Sequence, residues 1–170
     1  IETGFPVISD GERNAVKMIT SENLKAELCG LARTNRKDID AAVDCCLNYI
    51  HTFIATSDIH LEYKLKMTRE QALEKAIDAV EYGKSRGLQV EFSAEDATRT
   101  DREFLKQVFG EVSKAGADRI DIPDTVGYST PEYIAEITRD AIDATKLPIS
   151  VHCHNDFGLA VANAISGIQA

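Results

Sequence analysis

Two histidines separated by one residue stand out in the stretch "SVHCHNDFG". Side chains two residues apart in a β-strand point to the same face, so His152 and His154 would project together while Cys153 faces away. Two imidazoles on one face are typical ligands of a divalent metal, although such a pair can also be a structural contact at a strand end. Asn155 and Asp156 follow directly and could orient the rings through hydrogen bonds. The spacing therefore predicts a metal site at His152 and His154.

A second group of reactive side chains lies in "EFSAEDATRT". In a strand, Glu91, Ser93 and Glu95 would share one face. A carboxylate two residues after a hydroxyl can bind an acid or move a proton. We expect Glu95 to take part in chemistry, whereas the neighbouring Asp96 is expected only to cap the following helix.

Three further polar residues are weaker candidates. Thr125 in "DIPDTVG" provides a hydroxyl at a strand end and Gly127 permits a tight turn, but a purely structural turn explains this motif equally well. His51 in "IHTFIATS" lies inside a strand, where a lone histidine is more often structural than catalytic. His60 lies among charged residues and is expected to be exposed.

The elements that would position these residues alternate along the chain. Five β-rich runs occur at residues 26–32, 49–55, 88–94, 119–124 and 148–154. Helical patterns lie between them, and most of the chemical candidates fall at or just after the carboxyl ends of the runs. Capping signals predict where four helices begin: Ser9 with Glu12, Thr68 with Gln71, Thr100 with Glu103, and Thr130 with Pro131. This alternation predicts βαβ units and a parallel sheet.

Two architectures contain such units, the open doubly wound sheet and the (β/α)8 barrel. A doubly wound sheet would collect the polar residues at one switch point, whereas here they follow successive strands. No GxGxxG or GxxxxGK[ST] loop is present. We therefore predict an α/β fold of the (β/α)8 TIM-barrel type, incomplete with about six β/α units. Residues 1–170 are expected to be part of a single catalytic barrel domain whose first strand and final strand and helix region are absent.

Composition narrows the range of partners and compartments. The formal net charge of -9 disfavours nucleic acid and anionic membranes as partners. No apolar run approaches the roughly 20 residues of a membrane span, and "IETGFPVISD" lacks the features of a signal peptide, so we expect a cytoplasmic protein. The four cysteines have neither a CxxC spacing nor the density of a disulfide scaffold and are predicted to be reduced.

Five motifs in order carry a family resemblance: "GFPVISDGE", "IHTFIATSDIH", "VEFSAEDATRTD", "IPDTVGYSTP" and "HCHNDFGLAVAN". Together they resemble the 2-isopropylmalate synthase family of leucine biosynthesis, within a larger group of barrel metalloenzymes. That group includes homocitrate synthase, citramalate synthase and the hydroxymethylglutaryl-CoA lyases. The resemblance implies an acyltransferase that performs a Claisen-type condensation. A divalent ion (Mg, Mn or Zn) polarises the carbonyl of a 2-keto acid, the enolate of acetyl-CoA attacks, and water releases CoA.

The resemblance also implies roles for individual residues. His152 and His154 would be metal ligands, and Glu95 would assist proton transfer. Glu2 matches a strand-end glutamate near the keto acid in homocitrate synthases and would bind substrate. The rest of the keto-acid pocket would be lined by His51, Ser93 and Thr125.

The sequence also departs from the family pattern. The Arg-Asp-Gly-Glu motif, whose aspartate is the third metal ligand, is missing, and so is the later asparagine ligand. Glu91 stands where homocitrate synthases have an arginine, so a second substrate carboxylate would face Glu91 and be repelled. This disfavours a dicarboxylic keto acid and favours 2-ketoisovalerate. Citramalate synthase fits less well at "FIATS" but stays an alternative. We therefore expect a homo-oligomeric enzyme in a full-length context and an inactive 170-residue product. The alternative is a non-catalytic fragment or assembly module that pairs open barrel edges with another chain.

Overall fold

Five parallel strands form a single sheet in the computed structural model, which describes all residues from 1 to 170. The strands are β1 (Cys29–Arg33), β2 (Tyr49–Ala55), β3 (Gln89–Glu95), β4 (Arg119–Asp124) and β5 (Ile149–Cys153). Their spatial order follows the sequence order from β1 to β5. Because a doubly wound sheet requires a reversal of this order, the arrangement excludes that alternative and matches consecutive strands of a (β/α)8 barrel.

The N-terminal residues occupy a further strand position beside β1. Glu2 forms an isolated parallel bridge with Cys29. The amide of Thr3 donates to the carbonyl of Cys29 at 2.8 Å, and the amide of Leu31 donates to the carbonyl of Gly4 at 2.9 Å. The sequence "IETGFP" therefore contains a strand end, and the chain forms a partial barrel.

Helices connect these strands. They are α1 (Asp10–Ser21), α2 (Arg36–Val43), α3 (Asp58–His60), α4 (Arg69–Ser85), α5 (Arg102–Lys114), α6 (Pro131–Thr145) and α7 (Ala160–Gln169). A π-helical segment, Leu61–Leu65, continues α3, and a 3-10 turn, Ala97–Arg99, precedes α5. None of the helices is both long enough and apolar enough to cross a membrane.

Three of the four predicted helix caps are confirmed. The Ser9 hydroxyl accepts a hydrogen bond from the amide of Glu12 at 3.1 Å. Thr68 and Gln71 form a reciprocal capping box at the start of α4, and Thr130 caps α6 with Pro131 in its first turn. These contacts satisfy amides that the first turn of a helix leaves without partners.

The predicted cap at Thr100 is wrong by one residue. The amide of Phe104 donates to the Asp101 carboxylate at 2.9 Å, so Asp101 caps α5. Because the 3-10 turn precedes it, α5 begins one residue later than predicted. Thr100 points inward, and its hydroxyl donates to the carbonyl of Asp96 at 3.0 Å. Helix α2 was not predicted, although Asn35 caps it in the usual way.

The core lies between the sheet and the helices. Along β3, Val90, Phe92 and Ala94 are fully buried against the helices. The alternate residues, Glu91 and Ser93, face the interior of the barrel as the period of two requires. This division gives an apolar outer face that stabilises the sheet and a polar inner face that is available for chemistry.

Candidate active site

All seven predicted site residues line one cleft of about 220 Å³. They are Glu2, His51, Ser93, Glu95, Thr125, His152 and His154. Three further side chains, Leu31, Phe53 and Pro123, complete the wall. In parallel strands the carboxyl ends lie at one edge of the sheet, and alternate residues share a face, so residues from several strands meet there.

His152 and His154 stand side by side at the end of β5. Their rings are nearly parallel, with an angle of 16° and centroids 4.9 Å apart. Both residues are exposed, and their ring nitrogens make no hydrogen bond within the protein, which suits ligation of a metal of borderline character such as Zn²⁺. No group of three or more His, Cys, Asp or Glu residues in this chain is arranged to hold a metal ion.

Asn155 and Asp156, the expected partners of the two rings, contact other groups instead. Asn155 does not contact an imidazole; its side-chain oxygen accepts a hydrogen bond from the amide of Ala160 at 3.1 Å, at the start of α7. Asp156 packs against Gly127, whose φ of +59° confirms the predicted tight turn. The prediction that Asn155 and Asp156 orient the histidines by hydrogen bonds is therefore wrong.

His51 lies between two carboxylates. Its Nδ1 bonds the Glu2 carboxylate at 2.9 Å, and its Nε2 is 3.7 Å from Oδ2 of Asp121. Burial lowers the pKa of His51, but the Glu2 hydrogen bond and the charges of Asp121 and Glu91 outweigh it, so the net pKa is raised. The hydrogen bond from His51 lowers the pKa of Glu2. The neighbouring carboxylates thus stabilise the imidazolium form of His51 relative to a free imidazole.

Asp121 is a part of this site that sequence reasoning missed. It is 3% exposed, its carboxylate accepts a hydrogen bond from Ser93 at 2.7 Å, and the Ser150 hydroxyl oxygen lies 3.2 Å from its Oδ1. Burial raises its pKa. Asp121 precedes Thr125 by four residues, so the rule that alternate strand residues share a face would have placed it on the inner face.

Asp96 connects the ends of β3 and β4. Its backbone is left-handed with φ of 67°, and its amide donates to the Thr125 hydroxyl at 2.9 Å. Its buried carboxylate accepts hydrogen bonds from Ser57 and from Arg99, the latter at 2.8 Å. The expectation that Asp96 caps the next helix is therefore wrong. Because Thr125 accepts the Asp96 amide and donates to no protein group, its hydroxyl hydrogen remains available to a ligand.

Glu95 is contacted by two residues of the segment that follows β2. Its Oε1 accepts a hydrogen bond from Lys64 Nζ at 2.5 Å, and His60 Nδ1 lies 3.6 Å from the same oxygen. The side chain of His60 is 22% exposed. The prediction of an exposed His60 is therefore wrong, because the segment after β2 folds over the strand ends.

Glu91 lies below the cleft and does not line it. Its carboxylate accepts hydrogen bonds from the Tyr49 hydroxyl at 2.9 Å and from Ser150, and Arg119 lies 3.6 Å away. Burial and the Glu91 charge raise the pKa of Tyr49. Glu91 therefore cannot repel a substrate carboxylate by facing it directly, and that part of the sequence argument is wrong.

The fold and the cleft together define a class of protein, the (β/α)8 barrels with a polar site at the carboxyl ends of the strands. The family model described as HMGL-like matches residues 1–170, and the chain belongs to the HMGL-like family. Over 170 residues it is 54% identical to the 2-isopropylmalate synthase of Methanocaldococcus jannaschii and 51% identical to a homocitrate synthase of Methanothermobacter thermautotrophicus. The resemblance to the synthases is thereby confirmed.

Solved structures support the same fold. A hydroxymethylglutaryl-CoA lyase from Acinetobacter baumannii, in complex with coenzyme A and 3-methylmalate, superimposes with a TM-score of 0.81 at 19% identity, covering 98% of this chain and 57% of that one. The two synthases are matched along 100% of this chain, which spans 33% and 44% of their own lengths. The chain thus spans less than half the length of either synthase.

Proposed function

We propose that residues 1–170 form part of the catalytic barrel of an acyltransferase of the 2-isopropylmalate synthase type, which condenses acetyl-CoA with 2-ketoisovalerate. The observation that carries the proposal is the convergence of a histidine pair, two carboxylates and two hydroxyls in one cleft. Identity of 54% to a 2-isopropylmalate synthase supports the reaction class, and the coenzyme A in the lyase complex supports a CoA ester as one substrate. Cytoplasmic localisation and a homo-oligomer stay predictions.

The side chains that line the cleft suit three different roles: substrate binding, proton transfer and metal binding. The Thr125 hydroxyl, which donates to no protein group, and the His51 ring, which lines the same cleft, can hold the carboxylate of a keto acid. Glu95, at the other side of the cleft, can take a proton from the methyl group of the CoA ester. His152 and His154 would hold a divalent ion, which supplies Lewis-acid polarisation of the keto-acid carbonyl when bound.

The cleft supports a branched, monocarboxylic keto acid. Its apolar wall of Leu31, Phe53 and Pro123 can pack against an alkyl group. No lysine or arginine lines it, so a second substrate carboxylate would have no guanidinium or ammonium partner and would meet the carboxylates of Glu2 and Glu95. The missing cationic partner, rather than direct repulsion by Glu91, is therefore our reason to expect discrimination against a dicarboxylic keto acid.

The substrate assignment is tested by thiol release from acetyl-CoA in the complete gene product that carries these residues. We expect kcat/KM with 2-ketoisovalerate to exceed that with 2-oxoglutarate by at least about 100-fold, because burying an unpaired charge is costly. Pyruvate serves as the third substrate. Faster release with 2-oxoglutarate would favour homocitrate synthesis, and faster release with pyruvate would favour citramalate synthesis.

The metal assignment is tested by titration calorimetry with Mn²⁺ or Zn²⁺. We expect His152→Ala and His154→Ala each to weaken binding by at least about tenfold, since each removes one of two donors. Cys153→Ser is the matched control, because Cys153 lies between them and does not line the cleft. Unchanged isotherms for both histidine variants would contradict the assignment.

A further inference from the structure

The segment that follows β2 approaches the cleft at Glu95. The short helix α3 ends at His60 and continues as the π-helical segment Leu61–Leu65. Leu61 is buried in the core and anchors this segment against the sheet. Single π-helical turns inside helices frequently occur at functional sites. This one carries Lys64 to the carboxyl end of β3.

The contacts of Glu95 are asymmetric. Lys64 Nζ donates to Oε1 at 2.5 Å, and Nδ1 of His60 lies 3.6 Å from that same oxygen. Nδ1 of His60 is buried and has no hydrogen-bond partner. It also lies 3.7 Å from the carboxylate of Asp96, which is fully buried. Glu95 lines the cleft, and its Oε2 makes no hydrogen bond within the protein, so one oxygen is engaged and the other is free.

We propose that His60 and Lys64 are positioning residues for Glu95, which hold its Oε1 from outside the cleft so that Oε2 faces the substrate. The inference rests on the proposed function, because it assumes that Glu95 acts on a substrate proton. A glutamate side chain has several rotatable bonds, and an unrestrained carboxylate would spend much of its time out of reach of that proton. An ion pair fixing one oxygen reduces these alternatives.

The contact itself is tested without any activity. The sequence contains four histidines, so the ¹⁵N-labelled imidazoles can be assigned in an NMR spectrum by single substitutions. We expect Glu95→Gln and Lys64→Met each to shift the His60 ring resonances. Lys114→Met is the control, since Lys114 pairs with Glu111 on the exposed face of α5. A His60 signal that neither substitution moves would overturn the inference.

The catalytic consequence is tested in the complete gene product. We expect Lys64→Met to lower kcat about 10- to 100-fold with little change in KM for the keto acid, because misplacing a reacting group by about 1 Å has effects of this size. Lys64→Arg should recover much of the loss. In a Glu95→Gln background Lys64→Met should have no further effect, because it acts through that carboxylate.

The outcomes separate the two proposals. A wild-type protein without thiol release from any keto acid overturns the proposed function, while the NMR result still decides whether His60 and Lys64 hold Glu95. The positioning role is overturned if the wild type is active and Lys64→Met leaves kcat unchanged. It is also overturned if Lys64→Met lowers kcat equally in the wild-type and the Glu95→Gln backgrounds. Lys114→Met should keep wild-type kinetics.

Discussion

The Glu2 and His51 pair makes the site sensitive to pH at the residue scale. The raised pKa of His51 means that its contribution to stability is present below the ordinary value of 6.5 and is lost as pH rises through the higher folded value. The lowered pKa of Glu2 means that its contribution is present above 4.5 and is lost as pH falls through the lower folded value. We predict that Glu2→Gln lowers Tm most between pH 4.5 and pH 6.5, the ordinary pKa values of the two groups, and progressively less at alkaline pH.

Thermal melts across this pH range check the prediction. Glu74→Gln is the control, because Glu74 is exposed on α4 and forms no ion pair. A Tm difference between wild type and Glu2→Gln that stays constant from acid to alkaline pH would contradict a protonated His51 in the folded state.

Residue types and spacing predicted the inner face of the barrel but not the residues behind it. The period of two in a strand is local, so it placed Ser93 with Glu95 and His152 with His154. The same rule applied to "DIPDT" would have identified Asp121. His60 could not be found this way, because its position depends on how a π-helical segment packs against a strand that comes later in the chain.

At the scale of elements, the sequence predicted the ends of strands and helices best where a single interaction determines them. The runs at 49–55 and 119–124 coincide with β2 and β4, since both are buried and bounded by turns. The capping box at Thr68 marked α4 because side chain and backbone satisfy each other. The start of α5 was misplaced because Thr100 and Asp101 are both good caps, and only the preceding 3-10 turn decides between them.

The turn after β4 supports the end of β5, which carries the histidine pair. A Cβ added at Gly127, whose φ is +59°, would come within 2.5 Å of the Asp156 carboxylate and 2.7 Å of its amide. We predict that Gly127→Ala displaces the segment after His154, lowers stability by more than about 1 kcal/mol and weakens divalent-metal binding.

Denaturant melts and calorimetry with Mn²⁺ measure both effects. Gly110→Ala is the matched control, since a Cβ at Gly110 meets nothing within 4 Å. Because Gly110 lies inside α5, that change should stabilise the protein slightly, by up to about 1 kcal/mol. Equal behaviour of the two alanine variants would mean that the close approach at Gly127 does not support the site.

At the scale of the whole molecule, the barrel interior contains two polar layers. The upper layer is the cleft, and the lower layer is the network in which Tyr49, Ser150 and Arg119 surround Glu91. Asp121 joins the two layers because it accepts a hydrogen bond from Ser93 above and lies 3.2 Å from the hydroxyl oxygen of Ser150 below. The inner face of the sheet is therefore a connected hydrogen-bond network, and the outer face supplies most of the apolar packing.

The polypeptide of residues 1–170 also exposes surfaces that favour association. Strand β5 pairs with β4 on one side only, so the amides and carbonyls of its other edge lack strand partners. Beside it, Phe157, Val161, Ile165 and Ile168 are 70%, 72%, 50% and 82% exposed. Contiguous apolar surface next to an open edge promotes pairing with another chain. We predict that this polypeptide, expressed alone, associates and shows no measurable condensation of acetyl-CoA with 2-ketoisovalerate.

Light scattering beside a thiol-release assay with added metal checks both parts. We expect a mass above the 18.7 kDa of one chain, and a shift towards that mass when Val161→Lys and Ile168→Lys are combined. Met18→Lys is the control, because Met18 is equally exposed but lies on α1 at the opposite end of the sheet. Catalysis is expected to be absent because His152 and His154 alone leave a metal without a fixed geometry against the substrate. Turnover by a monodisperse monomer would show that two histidines and the cleft suffice for the reaction.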